Sequence, residues 1–220
     1  MRGKLGAFII LLTCTLFPAG AVTITTGFGT RESSIETSPV FMSLGIEGGP
    51  LSFYAQTDSG QIYDMEADLA FLRTERTRHS FNTSLQLVPS EGGFATFSYI
   101  FSHRLSSDRL FLSYTLGIQS GYAFSPYSDG ISFTIFPVGS LETGYDDGRF
   151  SLSLEGTFHL REERSWKPTL SLVMKLSYNF DDQFGIYTRA YAEAAEILTD
   201  PGIVIASYGI QAGFIFRGDA

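Results

Sequence analysis

The sequence predicts an all-β protein: a transmembrane antiparallel up-and-down β-barrel, with 12 strands favoured and 8–10 left open, after an N-terminal signal peptide. Apolar and polar residues alternate over most of the chain, as they do in strands with one apolar face. Charged residues make up 17% of the chain and aromatic residues 15%, whereas charged residues usually reach about 25%. Short and longer connections alternate between the segments, as expected of membrane-spanning barrels.

The start of the chain has the three parts of a secretory signal peptide. Arg2 and Lys4 form a positive segment, the apolar run 5–17 follows, and small residues lead up to Ala21. The apolar run is shorter than the roughly 20 residues that a membrane-spanning helix needs. We therefore expect cleavage after Ala21, with residues 22–220 forming a single barrel domain.

The only cysteine, Cys14, lies inside this signal, so we expect no disulfide and no cysteine-ligated metal in the exported chain. Lipidation of Cys14 is the alternative, and Thr13 argues against it because Gly or Ala normally precedes an acylated cysteine. Cleavage of the signal peptide would remove Arg2 and Lys4 and change the net charge from −8 to −10. An acidic exported chain without a basic patch is a poor candidate for binding nucleic acid.

The stretch FSLSLEGTFHL, residues 150–160, shows the alternation clearly. Phe150, Leu152 and Leu154 fall on one parity, and serine, glutamate, threonine and histidine fall on the other. Successive side chains of a strand point to opposite faces, so this segment is a ribbon with one apolar side.

Similar ribbons recur along the chain, and their number must be even if both termini lie in the periplasm. Nine strands are predicted near 61–73, 80–88, 94–104, 110–122, 131–145, 149–160, 169–180, 184–197 and 203–216. Three shorter ones, VTITTGFG, SPVFMSLGI and LSFYAQT, are predicted between residues 22 and 57. The total is then twelve, and ten is the nearest rival.

Turn-forming residues separate these segments. Short turns are predicted at SSDR (106–109), DDG (146–148) and DDQ (181–183), and longer connections at FSPYSDG (124–130) and REERSWKP (161–168). Asp and Gly tolerate the positive φ that tight turns need. We expect the short turns in the periplasm and the longer loops outside.

The apolar parity faces either lipid or the core of a secreted β-sandwich or lipocalin-like barrel. The clearest segments run to about 11–13 residues, enough to cross a bilayer when tilted, whereas soluble strands centre on about 5–6. Aromatic residues gather beside the short turns, as Tyr145 and Phe150 do around DDG, which is typical of an interfacial girdle. These features favour lipid.

The last strand places Tyr208, Ile210, Phe214 and Phe216 on its apolar parity. In this the chain resembles the small bacterial outer-membrane β-barrel proteins of the OmpX and OmpW kind, whose last strand alternates and ends in an aromatic residue. Two departures are that four residues follow Phe216 and that Gln211 stands where a glycine is usual. The resemblance implies a bacterial outer-membrane location, contact with outer-membrane lipid, and recognition of this strand by the barrel-assembly machinery.

If the apolar parity faces lipid, the opposite parity lines the lumen. Its residues are mostly small, so a twelve-stranded barrel is expected to enclose a water-filled path. Its charged residues are Asp64, Glu66, Asp68, Glu142, Glu155, Lys175, Arg189 and Glu193. The acidic excess predicts a small passive pore for hydrophilic solutes with mild cation preference. A paired interior network is the alternative; no cofactor is expected, and the spacing specifies no metal site.

Two of the longer connections carry residue types that are common in binding sites. Phe124, Tyr127, Arg161, Arg164 and Trp166 are expected on external loops, where aromatic and arginine side chains typically anchor partners. They leave open a non-conducting structural or adhesive barrel whose external ligand is unknown.

An enzyme is not expected. His159 shares a face with Ser153 and Glu155 near the outer rim, but a chain rich in serine commonly produces such a set, and a hydrogen-bond network is the simpler interpretation. We expect His103 to face lipid near a turn and His79 to lie in the connection ERTRH.

Overall fold

The computed structural model describes residues 22–33, 37–58, 62–88, 92–124, 132–162, 166–195 and 204–218, so the expected signal peptide lies outside the described residues. The strands are β1 Val22–Ser33, β2 Thr37–Gly48, β3 Leu51–Asp58, β4 Ile62–Arg73, β5 Thr77–Val88, β6 Gly92–Ser107, β7 Leu110–Phe124, β8 Ser132–Asp146, β9 Phe150–Glu162, β10 Trp166–Asn179, β11 Phe184–Ala195 and β12 Val204–Gly218. In these segments no helix is long and apolar enough to span a membrane.

The strands form one closed antiparallel barrel in which each strand pairs with its neighbours in sequence and β12 returns to β1. The closing ladder runs from Val22↔Gly218 to Ser33↔Ser207. The predicted up-and-down barrel of twelve strands is confirmed. Because Val22 lies opposite Gly218, the first residue of β1 and the last residue of β12 lie at the same side of the barrel.

Short turns join the strands at that same side. They comprise residues 49–50, 74–76, 108–109, 147–149 and 180–183. Gly49, Asp108 and Gly148 have φ values of 56°, 47° and 87°. The positive φ expected of Asp and Gly in tight turns is therefore present in the SSDR and DDG turns.

The outer face of the barrel is apolar. In β9, Leu152 and Leu154 are exposed while Ser153 between them is buried. This pattern is the inverse of a soluble protein, in which large apolar side chains lie inside. At the short-turn side the Phe184 ring lies 5.5 Å from the rings of both Phe180 and Phe216. An apolar surface edged by aromatic rings is the surface that a membrane barrel presents to lipid.

Two expectations about strand bounds are corrected. The predicted loop 161–168 is shorter, because β9 continues to Glu162 and β10 begins at Trp166, and these two residues pair with each other. His79 lies within β5, where its Nδ1 is 2.8 Å from the Tyr99 hydroxyl. Backbone pairing extends a hairpin regardless of side-chain polarity, so charged strand ends look like loops in the sequence. His103 lies on β6 against the Tyr114 ring, on the outer face as expected.

The turn between β8 and β9 is held by an aspartate. Asp147 Oδ1 accepts hydrogen bonds from the backbone N–H groups of Arg149, at 3.1 Å, and Phe150, at 2.8 Å. The hydrogen bond from the Phe150 amide is the main cause that holds the pKa of Asp147 below its ordinary value, and the Tyr145 hydroxyl acts in the same direction. The ionised carboxylate therefore favours the folded turn.

A lowered folded-state pKa means that Asp147 stabilises the barrel above its ordinary pKa and loses this contribution as pH falls through the folded-state value. We expect Asp147→Asn to lower the unfolding temperature at neutral pH and to differ less from wild type near about pH 3. The measurement is heat-modifiable gel mobility of the refolded barrel against temperature. Asp182→Asn, which removes a charge from another turn, is the control. A difference that is constant with pH would contradict the role of the carboxylate.

Candidate functional site in the lumen

The residues that alternate with the lipid-facing ones surround two cavities inside the barrel. One cavity, of about 330 Å³, lies toward the side of the barrel away from the short turns, and we call it the outer cavity. It is lined among others by Asp64, Gln119, His159, Arg189 and Glu193. The inner cavity, of about 210 Å³, lies toward the short turns and is lined among others by Glu47, Ser52 and Asp68. Tyr54 and Glu66 line both, so these two side chains lie where the cavities meet.

A hydrogen-bonded layer narrows the lumen at this level. Gln211 Nε2 donates to Ser43 Oγ at 2.5 Å and to the Tyr187 hydroxyl at 2.8 Å. The Tyr54 hydroxyl donates to Gln56 Oε1 at 3.0 Å. Gln211 is only 3% exposed. The residue that departs from the resembled C-terminal motif therefore links β12 to β2, over Gly27 of β1, and to the neighbouring β11.

Two inward-facing glycines of β1 do not leave empty space beside them. A Cβ on Gly27 would overlap the Tyr187 hydroxyl, and one on Gly29 would overlap the Phe41 ring. The Phe41 side chain is 1% exposed. Aromatic side chains from neighbouring strands thus occupy the room that these glycines provide. The lumen is narrower than the small residues alone predict.

Several of the sequence-predicted lumen charges are paired. Lys175 Nζ lies 3.1 Å from Glu155 Oε2. Asp68 forms an ion pair with Arg78, a partner that the sequence analysis missed. Pairing of this kind is what the alternative of an interior network predicts, and it accounts for these charges at a modest cost in solvation.

Other lumen charges face one another along the ladders. Glu142 lies opposite Glu155 between β8 and β9, and Lys175 lies opposite Arg189 between β10 and β11. Like charges directly opposite on adjacent strands destabilise a sheet, and the Lys175–Glu155 ion pair offsets part of this repulsion. Arg189 Nε is buried without a hydrogen-bond partner among the described residues. Two acidic residues on β8 and β9 are therefore followed around the wall by two basic residues on β10 and β11.

His159 takes part in a network in the outer half of the lumen. Its Nε2 lies 2.8 Å from Ser171 Oγ. Glu193 accepts hydrogen bonds from Ser207 Oγ at 2.7 Å and from Ser171 Oγ at 3.5 Å. Ser171 is the residue that joins the histidine to this network, whereas the sequence analysis grouped His159 with Ser153 and Glu155.

Some lumen residues escaped the sequence analysis. Glu47 lies one residue beyond the predicted segment SPVFMSLGI, and Arg78 lies two residues before the predicted strand 80–88. Continuing the alternation of each segment outward would have placed both in the lumen. Tyr54 and Tyr187 gave no such signal, because tyrosine is common on the lipid face as well.

The remaining candidate residues lie at the barrel's outer end or on its surface. Tyr127 and Arg164 are outside the described residues, and the backbones of Phe124, Arg161 and Trp166 lie at the ends of β7, β9 and β10. Binding through external loops stays a prediction. The predicted assembly residues, Tyr208, Ile210, Phe214 and Phe216, lie exposed along the outer face of β12.

Comparison with solved structures finds the same architecture. A NanC porin is 13% identical with a TM-score of 0.58, over 89% of this chain and 99% of that chain. A KdgM porin in complex with disordered oligogalacturonate is 11% identical with a TM-score of 0.55, over 88% and 98%. The translocator domain of the autotransporter NalP from Neisseria meningitidis is 8% identical with a TM-score of 0.57, over 98% and 95%.

The fold and the apolar outer face define the class of this protein: it is a bacterial outer-membrane β-barrel with porin-like architecture. No protein-family model and no curated protein matches the sequence. The small outer-membrane barrel is thus confirmed as a fold, and the OmpX and OmpW kind stays a prediction.

We expect Gly27→Val to destabilise the barrel, because the new side chain would overlap the Tyr187 hydroxyl inside it. Overpacking of this kind costs about 1–3 kcal/mol. The measurement is urea unfolding of the refolded protein in lipid. Gly156→Val is the matched control, since a Cβ there meets its nearest atom, Leu172 Cδ2, at an ordinary 3.5 Å. Equal stability of the two variants would show that the lumen has room beside Gly27.

Proposed function

We propose that the protein is a narrow passive channel for small hydrophilic solutes with a mild preference for cations. The observation that carries this proposal is the pair of cavities, each with charged side chains in its lining, that follow one another along the barrel and share Tyr54 and Glu66. A polar lumen inside a lipid-facing wall suits the movement of water-soluble molecules. The porin-like architecture supports the proposal without identifying the solute.

The charge of the cavity lining supports a preference for cations. Among the described residues, the two cavities are lined by five carboxylate side chains, which are Glu47, Asp64, Glu66, Asp68 and Glu193. The lining holds one guanidinium, that of Arg189. Rings of acidic side chains favour cations in channels, and the low dielectric of the wall strengthens their field.

Glu66 is the most informative of these carboxylates. It lies at the junction of the two cavities, and its Oε1 accepts a hydrogen bond from Asn82 Nδ2 at 2.6 Å. A solute that moves from one cavity to the other passes this side chain and that of Tyr54. We therefore assign the selectivity to Glu66 and the width of the path to Tyr54.

In planar bilayers we expect the refolded protein to give steady single-channel steps with cation preference. Glu66→Gln should lower the cation-to-anion permeability ratio by about twofold, because it removes one lining charge and keeps the side-chain shape. The measurement is the reversal potential in a salt gradient. Asp182→Asn removes a charge from a turn outside the cavities and should keep the wild-type ratio. A folded wild-type barrel that never conducts would rule out the channel.

Tyr54→Ala should increase the single-channel conductance by roughly a factor of two, because it removes the ring at the cavity junction. Tyr122→Ala, which removes an exposed ring from the outer face, should leave the conductance unchanged. Both variants are compared at one salt concentration after their folding is checked by gel mobility. Unchanged conductance in Tyr54→Ala would place the narrowest point elsewhere.

A further inference from the structure

The pairing of β8 with β9 stops halfway up the barrel. The ladder begins at Asp146↔Ser151 and ends at Gly139↔Phe158. Beyond that point β8 continues to Ser132, paired with β7, and β9 continues to Glu162, paired with β10. In the described part of both strands, their outer halves are not paired with each other. We call this unpaired stretch the β8–β9 seam.

Pro137 explains why the ladder stops there. The Asp146 amide donates to Arg109 on the β7 side, and the Asp147 amide donates to Phe150 on the β9 side. Amide directions alternate along an antiparallel strand, so odd-numbered residues of β8 point toward β9. Pro137 therefore turns a nitrogen without a hydrogen toward β9 and cannot donate to that ladder.

Two aromatic rings meet at the seam from opposite faces of the wall. Phe136 lies opposite the buried Gln119, so it belongs to the inward-facing set of β8. Phe158 belongs to the outward-facing set of β9, with Leu152 and Leu154. The Phe136 and Phe158 ring centroids are nevertheless 5.1 Å apart. Rings of opposite parity touch here because no ladder separates them, and they fill the gap between the strands.

The lumen wall behind the seam is apolar. Ile100 and Val138 share the inward parity of β6 and β8, and a Cβ on Gly117 between them would lie 3.0 Å from Val138 Cγ1. Elsewhere the same parity is mostly polar. Gln119 and His159, which flank the seam on the inside, both line the outer cavity of about 330 Å³. Gln119 and His159 thus place that cavity beside the seam, next to the apolar Ile100 and Val138.

The end of the seam nearest Pro137 lies within the apolar band. Pro137 is eight residues from Tyr145, which stands at the short-turn edge; at about 3.4 Å per residue and a tilt of about 40° this places it roughly 21 Å across a band about 25 Å tall. Ile135 is 64% exposed, and the Phe133 ring packs 5.0 Å from that of Tyr122. By the same estimate Ile135 and Phe133 lie at or beyond the far edge of the band, so the end of the seam nearest Pro137 is the part that opens toward the half of the bilayer away from the short turns.

We propose that the β8–β9 seam is a lateral portal, gated by the Phe136 and Phe158 rings, through which a hydrocarbon chain passes between the outer leaflet and the outer cavity. The ligand class follows from the lipid-facing surface outside the gap and from the Phe136, Val138 and Ile100 side chains inside it. Neighbouring strands of a sheet lie about 4.8 Å apart, so a small increase in the separation of β8 and β9 admits a slender aliphatic chain. Opening requires movement of two side chains and no ladder hydrogen bonds. The portal does not depend on the proposed ion conduction.

The test uses the barrel folded in phosphatidylcholine nanodiscs that contain a phospholipid with a diazirine near the end of one acyl chain. After illumination, mass spectrometry maps the adducts. We expect adducts on Val138 and Ile100, which a sealed wall would shield from lipid. Phe136→Ala should raise this labelling several-fold, and Pro137→Val should lower it because valine restores the missing donor.

Two controls make the result decisive. Leu141, exposed on the outer face of β8, should be labelled equally in every variant. Phe111→Ala removes another phenylalanine that shares the inward parity, close to the short turns, and should leave the labelling of Val138 unchanged. Labelling of Leu141 without any labelling of Val138 or Ile100, in both the wild type and Phe136→Ala, would overturn the portal. Equal increases in Phe136→Ala and Phe111→Ala would overturn it as well, because the seam would then not be the route.

Discussion

The ladder between β1 and β12 is the interaction on which the rest of this structure depends. It runs the full length of β1, from Val22 to Ser33, and turns an open sheet into a closed barrel. In hydrocarbon an unpaired backbone N–H or C=O costs several kcal/mol, so closure is what allows the apolar outer face to lie in lipid. Once the sheet is closed, alternation sends every second side chain into the lumen, away from lipid.

Closure of the sheet also encloses interior space that side chains must fill. Twelve strands enclose more space than the inward serines and threonines fill. Gln211 reaches Ser43 and Tyr187 across this space, and Phe41 lies where Gly29 leaves room. Among the described residues, two cavities of mixed polar and apolar lining remain inside the barrel. The channel proposed above would therefore be controlled by a few side chains at the junction of the cavities.

The β8–β9 seam is a place where the barrel wall lacks backbone pairing. Pro137 cannot donate toward β9, and the ladder ends two residues below it, at Gly139. Prolines are normally confined to edge strands for this reason, and this one gives the wall of a closed barrel a short local edge. Phe136 and Phe158 cover that edge with apolar surface. At this seam, lumen and lipid are separated by side chains and not by a ladder of backbone hydrogen bonds.

The sequence by itself determined the class of fold, because the alternation of apolar and polar residues within each strand shows which of its faces is apolar. The alternation in residues 150–160 predicts correctly that Leu152 faces outward and Ser153 inward, and repeating that pattern gives twelve strands. The turns were equally readable, since Gly148 and Asp108 supply a local conformation that tight turns require. These features depend on neighbours in sequence and need no knowledge of the partner strand.

Only the tertiary structure decided what fills the lumen and where the wall is thin. Gly27 and Tyr187 meet across the β1–β12–β11 register, and nothing local in either segment indicates that one vacates the space that the other occupies. Arg78 and Asp68 become partners through the pairing of β4 with β5. Pro137 reads as an ordinary strand residue until the direction of its nitrogen toward β9 is known. Register between strands decides each of these contacts, and the side-chain pattern of one strand specifies its faces without specifying its partners' atoms.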